Sequence, residues 1–305
     1  MKKLEQFAPN VQLSTETILK SAESTNYKNV LWTSDIKQEL PIFLGNDQSN
    51  SVRPRTMIEL FESSVNEEKD NKVLFIERNQ QWIHYTWNQF HKYVINFAKA
   101  VISIGVEPYQ TVNILANNSP EWFFSFMGGI YSCVIPVGIY ITNNSDSCVY
   151  IANHSECGVL VVDSIEQYKK YEQKLSELKK LKAVVIFGNT ESKDIKDLLN
   201  QYVPIYSWED FIAIGKKANV DLELQNRIER QKPGNCCDVV YTSGTTGNPK
   251  AVLLSHDNLT YTASTSSILS STLIGENVER LRTVSYLPLS HIAGQIVDIM
   301  GKSFN

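Results

Sequence analysis

From Thr56 onward the chain alternates between stretches with helical spacing of apolar residues and short runs that are apolar throughout. In "YTWNQFHKYVINFAKAVISIG", residues 85–105, Trp87, Phe90, Val94, Phe97 and Val101 recur at three- and four-residue steps, which places them on one helix face. Thr86 and Gln89 occupy capping-box positions, and Gly105 supplies the stop. "TVNILA" follows as a strand, and Ser119 and Pro120 open the next helix as cap and first-turn proline. "CVIPVGIY", "CGVLVVD" and "AVVIFG" read as further strands. Between the last two, "IEQYKKYEQKLSELKKLK" reads as an amphipathic helix with Ile165, Tyr168, Leu175 and Leu178 inward.

Strands that are apolar on both faces, alternating with helices, predict an α/β fold: a doubly wound, mostly parallel sheet covered on both sides. The first fifty residues are polar and irregular. They read as a loosely attached leader (1–50) ahead of a domain occupying 51–305, and no internal repeat is visible.

One run changes the picture if misread. "WFFSFMGGIYSCVIPVGIYI", residues 122–141, passes without a charge and is long enough to be weighed as a membrane span. Gly128, Gly129 and Pro136 interrupt it and its last part is β-branched, so a buried helix running into a buried strand fits better.

Composition excludes more than it identifies. A net charge of −4 lacks the basic surplus of a nucleic-acid binder. The five cysteines are odd in number and form no CxxC pair, which argues against a metal cluster or a disulfide framework and for a reducing, intracellular setting. The N-terminal "MKKLEQFAPNVQL" has no apolar core behind its lysines and is no secretory signal. Lys169, Lys170, Lys174, Lys179, Lys180 and Lys182, interleaved with glutamates, read as a solvated helix face.

The candidate chemistry lies in "YTSGTTGNPKAVLLSH", residues 241–256. Ligands of parallel sheets bind at the carboxyl ends of strands, and this stretch leaves the strand "DVVYTS" at that end. Gly244 and Gly247 let the backbone turn sharply and aim N–H groups at one point. Tyr241, Thr242, Ser243, Thr245 and Thr246 add hydroxyls and Lys250 a point charge, an inventory that suits a polyphosphate better than a plain hairpin. The loop is not a Walker loop, because Asn248 and Pro249 separate Gly247 from the lysine. The Walker-like ending Gly301-Lys302-Ser303 has Ile296 where a glycine is required.

"YTSGTTGNPKAV" resembles the phosphate-loop signature of the AMP-forming acyl-CoA synthetases, the adenylate-forming family, with Ala251 where glycine is commoner. "HYTWNQFH", "NNSPEWFFSFMGGIYSCVIPVGIYITN" and "SYLPLSHIAGQIVDI" are similar to the long-chain fatty acid branch, especially its bubblegum-type members. The likeness runs from about Thr56 to Ile299 and covers roughly the first half of a family member, making 51–305 a partial AMP-binding domain without the C-terminal domain.

The resemblance implies ATP-dependent activation of a long-chain fatty acid to an acyl-adenylate and then to acyl-CoA, with ATP, Mg²⁺ and CoA as cofactors or co-substrates. It implies a phosphate cradle made of Thr242, Ser243, Gly244, Thr245, Thr246, Gly247 and Lys250, with Thr245, Lys250 and His291 in catalytic positions. His291, in "LPLSHIAGQ", matches the segment whose histidine or aromatic lies beside the acyl-adenylate. His256 reads as a residue at the start of a helix, and His84, His91 and His154 carry no assignment.

Three family features do not follow Ile299: an aromatic-Gly-x-Thr-Glu motif, a Thr-Gly-Asp segment and a lysine-bearing C-terminal domain. "FGNTE", residues 187–191, imitates the first but precedes the loop, so Glu191 reads as a surface residue. The expected form is therefore an incomplete long-chain fatty acid–CoA ligase. The alternatives are a non-catalytic nucleotide- or acyl-binding truncated paralogue, or an adenylating enzyme for another carboxylic acid. The expected location is cytoplasmic, with peripheral contact at the endoplasmic reticulum membrane.

Overall fold

The computed structural model describes residues 32–44, 52–188, 195, 198, 202–242, 247–274 and 282–300. Helix α1 (Met57–Glu68) begins with a capping box in which Thr56 and Glu59 exchange side-chain and backbone hydrogen bonds. A hairpin follows, β1 (Lys72–Arg78) and β2 (Gln81–Thr86), antiparallel and closed by Asn79 and Gln80, both at positive φ. Two central residues at positive φ match the right-handed twist of the strands. The alternation that marks this hairpin is weak, because most of β2 is exposed.

Helix α2 (Trp87–Ser103) starts at the expected capping box, and Trp87, Phe90, Val94, Phe97 and Val101 are all buried. β3 (Thr111–Leu115) leads to α3 (Pro120–Tyr131), capped by Ser119 with proline in its first turn, and then to β4 (Ile135–Ile139). Every residue of α3 and β4 is buried, so the 122–141 run is a helix and strand of the core. Among the described residues no helix is long and apolar enough to cross a membrane.

α4 (Ser145–His154), β5 (Cys157–Val162), α5 (Ile165–Glu172), β6 (Ala183–Ile186) and β7 (Ile205–Ser207) continue the alternation. The helix expected over 165–182 is shorter. It ends at Glu172, and a 3₁₀ turn, Leu175–Glu177, carries Leu175 and Leu178 to the core instead. Two lysines of the solvated face have partners: Lys170 Nζ donates to the Ile141 carbonyl and Lys174 pairs with Asp146 at 2.6 Å. Then come α6 (Trp208–Lys217), α7 (Asp221–Glu229), β8 (Cys236–Thr242), β9 (Lys250–Ser255), α8 (His256–Ile274) and α9 (Ile292–Gln295), which runs into a π-helical turn, Ile296–Met300.

Seven strands form one sheet in the order β7-β6-β5-β3-β4-β8-β9. All neighbours are parallel except β8 and β9, so the sheet is doubly wound with an antiparallel edge. Its two faces carry separate cores. α1, α2, α3, α6 and α8 cover one face around Phe97, Trp122, Phe124 and Phe211, and α4 and α5 cover the other around Tyr168 and Tyr171. All five cysteines are free and buried.

In the stretch expected to be a loosely attached leader, the Leu40 N–H donates to the Gly234 carbonyl at 2.9 Å, and Lys232 pairs with Glu39 at 2.8 Å. Glu191 and the Gly301-Lys302-Ser303 ending lie outside the described residues.

Candidate active site

β3 passes to β4 through α3 on one face of the sheet, whereas β4 passes to β5 through α4 on the other. The chain therefore leaves the carboxyl ends of β3 and β4 in opposite directions, the place at which doubly wound sheets bind ligands.

A strap of chain, residues 285–291, runs over this end. Asn118, just past β3, holds it with both halves of its amide. Nδ2 donates to the Ser285 and Leu287 carbonyls at 3.3 and 2.7 Å and to the Ser285 hydroxyl, while Oδ1 accepts from the Leu289 N–H at 3.0 Å. Gly138 in β4 lets the strap descend, since a Cβ there would meet the Ser290 Cα at 2.7 Å. The strap ends at His291, the N-cap of α9, whose Nδ1 accepts from the Ala293 N–H at 3.1 Å. That bond orients the ring, which lies edge-on to Tyr140 with centroids 6.4 Å apart.

The carboxyl end of β8 lies beside β4 at this end of the sheet. β4 pairs with β8 at Val137↔Val239 and Gly138↔Val240. Just past this pairing, Thr242 ends β8 and Tyr140 directly follows β4. Thr242 and Lys250 are partners across the β8–β9 ladder, both exposed, with the Thr242 hydroxyl donating to the Lys250 carbonyl at 3.4 Å. By connectivity the loop is thus a hairpin, and the sequence contrast between hairpin and phosphate loop dissolves: one segment can be both. Gly247 has φ +96 with open space where a Cβ would sit, so its backbone is bare toward solvent. Ser243, Gly244, Thr245 and Thr246 lie outside the described residues.

Tyr241 does not join the loop's hydroxyls. It is buried beneath it, and its hydroxyl lies 2.7 Å from His154 Nδ1 on the α4 face. His256 is the first residue of α8, as expected, but fully enclosed: Nδ1 accepts from the Met57 N–H at 3.0 Å, so the proton sits on Nε2, which faces Gln231 Oε1 at 3.2 Å. Burial drives its pKa down to about 3, so the ring is neutral and structural.

The chemistry on offer is that of anion recognition: a lysine and a threonine at the mouth of a glycine loop, beside a histidine and a tyrosine. These fit a polyphosphate and an adenylated acid. Among the described residues no three His, Cys, Asp or Glu side chains converge to hold a metal. Sequence reasoning singled out Thr242, Gly247, Lys250 and His291, and missed Asn118, Gly138 and Tyr140. The Asn117-Asn118 pair shortly after an apolar strand was the available signal for the first.

Comparison with known proteins agrees with this geometry. Residues 61–304 match the AMP-binding enzyme family. The chain is 37% identical over 270 residues to the long-chain-fatty-acid–CoA ligase ACSBG2 of Xenopus laevis, covering 88% of this chain and 35% of that protein. With human ACSBG1 the figures are 35% over 289 residues, 95% and 38%. Among solved structures, the carboxylic acid reductase A-PCP didomain of Segniliparus rugosus in complex with AMP superposes with a TM-score of 0.66 at 14% identity, over 84% of this chain and 38% of that one. The anthranilate CoA ligase AuaEII in complex with anthranoyl-AMP gives 0.57 at 22%, over 72% and 38%.

The chain belongs to the AMP-binding enzyme family and has the fold of the N-terminal domain of adenylate-forming enzymes. The relatives of similar sequence are bubblegum-type long-chain acyl-CoA ligases, and this chain spans little more than a third of their length.

Proposed function

We propose that this chain carries the ATP-polyphosphate site of a long-chain fatty acid–CoA ligase. The observation that carries the reading is the juxtaposition of the Thr242–Lys250 loop mouth with His291 and Tyr140 at the β4/β8 end of the sheet. In the reaction, a fatty carboxylate oxygen attacks the α-phosphorus of ATP, pyrophosphate leaves, and an acyl-adenylate forms. The sulfur of CoA then attacks the acyl carbonyl, and AMP leaves with the bonding electrons.

Such chemistry depends on position and on stabilising spread negative charge. Lys250, exposed on its strand, offers its charge to the β- and γ-phosphates, and Thr242 offers a hydroxyl. The backbone of the glycine loop would supply N–H donors, and Mg²⁺, when bound with ATP, would neutralise the remaining phosphate charge. His291 and Tyr140 form the wall against which the adenylated carboxyl sits. The long-chain acid is favoured because relatives at 37% and 35% identity are named for it.

The test is fatty-acid-dependent exchange of labelled pyrophosphate into ATP by the protein carrying this domain, with palmitate, anthranilate and no acid as arms. Exchange with palmitate alone supports the reading. Exchange only with the aromatic acid would keep the adenylation and change the substrate, and no exchange with any acid would count against both.

A further inference from the structure

β3 lies between β5 and β4, and both of those neighbours lead on to helices of the face opposite α3. The chain therefore parts in opposite directions on either side of β3, which gives the sheet two places of the kind that bind ligands. On the β5 side a carboxyl group ties the two strand ends together. The last ladder pair there is Leu115↔Val162. One residue beyond it, Asp163 Oδ2 accepts from both the backbone N–H and the side-chain Nδ2 of Asn117, each at 2.8 Å. Asp163 Oδ1 accepts from the Ser164 hydroxyl at 3.1 Å.

Asn117 itself is exposed, so burial does not demand this pairing. What the pairing fixes is the residue that follows. Asn118 Nδ2 donates to the Leu287 carbonyl at 2.7 Å while its Oδ1 accepts from the Leu289 N–H at 3.0 Å. Donor and acceptor sit on one planar amide, which meets both partners only from a fixed backbone position. Asp163 holds that backbone at the preceding residue.

We propose that Asp163 is a positioning residue: by holding Asn117 with two hydrogen bonds it sets the backbone from which Asn118 clasps the strap, and so places His291. The β5 side of β3 is thereby tied by side chains, and the β4 side, where Tyr140 and His291 meet, is left for substrate. The inference rests on the functional reading above, in which His291 stands beside the adenylated carboxyl.

Asp163→Ala removes both acceptors, whereas Asp163→Asn keeps a side-chain oxygen that can accept from both Asn117 donors. The Leu289 amide reports the clasp directly, since its N–H is the one given to Asn118, and the amides of the β3–β5 ladder report the sheet. In Asp163→Ala the Leu289 amide should exchange its hydrogen about tenfold faster while the ladder amides stay within about twofold of wild type. The kcat of palmitate-dependent pyrophosphate turnover should fall about tenfold. Asp163→Asn should bring all three back to within about twofold of wild type. Asn118→Ala should loosen the same Leu289 amide, and adding Asp163→Ala to it should change that amide no further, because one residue acts through the other. If Asp163→Ala does not fold, Asn117→Ala, which removes one of the two bonds, should show a smaller acceleration at Leu289.

An unchanged Leu289 amide would overturn the proposal. So would acceleration shared equally by the β3–β5 ladder, which would make Asp163 a stitch of the sheet alone, or a loosened strap with unchanged turnover. If wild type turns over pyrophosphate with no acid at all, the functional reading fails, and the Leu289 amide still decides whether Asp163 holds the strap.

Discussion

A Cβ placed on Gly138 would stand 2.7 Å from the Ser290 Cα and 3.4 Å from the Trp122 ring. The strap that bears His291 therefore lies on a strand with no side chain at the contact. The contact is backbone against backbone, which no rotamer change can relieve. Gly138→Ala should lift the strap and destabilise the fold by about 1–3 kcal/mol, the usual cost of overpacking. Urea unfolding measures this, and a midpoint equal to wild type would mean that the strap is loosely held.

His256 and Asp238 should set opposite pH dependences. The His256 pKa is about 3 in the fold against 6.5 for the free ring, so its contribution to stability is complete above pH 6.5 and is lost as pH falls toward 3. The Asp238 pKa is about 7 against 3.8, so its contribution is complete below pH 3.8 and is lost as pH rises through 7. Asp238→Asn should therefore gain stability relative to wild type as pH is raised from about 5 to 8, and His256→Gln should flatten the acid limb. Urea midpoints across that range check both signs.

The uncharged run 122–141 should behave as core. α3 and β4 are buried throughout, with Trp122 stacked on Phe126 at 5.2 Å. Carbonate washing of membranes from expressing cells should release the protein to the supernatant, and retention in the pellet would contradict the assignment.

Local signals carried far in this chain because they are local. The capping box at Thr86, the Ser119-Pro120 start and the apolar runs of β3 to β6 each state their element within a few residues. The loop stands out in the sequence for the same reason, since its glycines, hydroxyls and lysine lie within a few residues of one another. What escaped depends on residues far apart in sequence. Asn118 meets Leu289 across 171 positions, and Gly138 is informative only once Ser290 lies on it. The edge β9 reads as another apolar strand, and its antiparallel direction follows from the short connection after Thr242. Tyr241 shows the converse error: adjacency suggested a loop hydroxyl, but its position in the strand turns it to His154.

The central claim is that the loop between Thr242 and Lys250 holds the polyphosphate of ATP, and calorimetric titration of wild type and Lys250→Ala with ATP and with AMP tests it most directly. Lys250 is exposed and carries no ion pair among the described residues, so its removal should leave the melting temperature within about 2 °C. A charged hydrogen bond to phosphate contributes about 1.5–3 kcal/mol, so ATP should bind roughly 10- to 100-fold more weakly while AMP, which lacks the β- and γ-phosphates, is little affected. Unchanged ATP affinity together with a marked loss of stability would contradict the account and make the loop a structural hairpin.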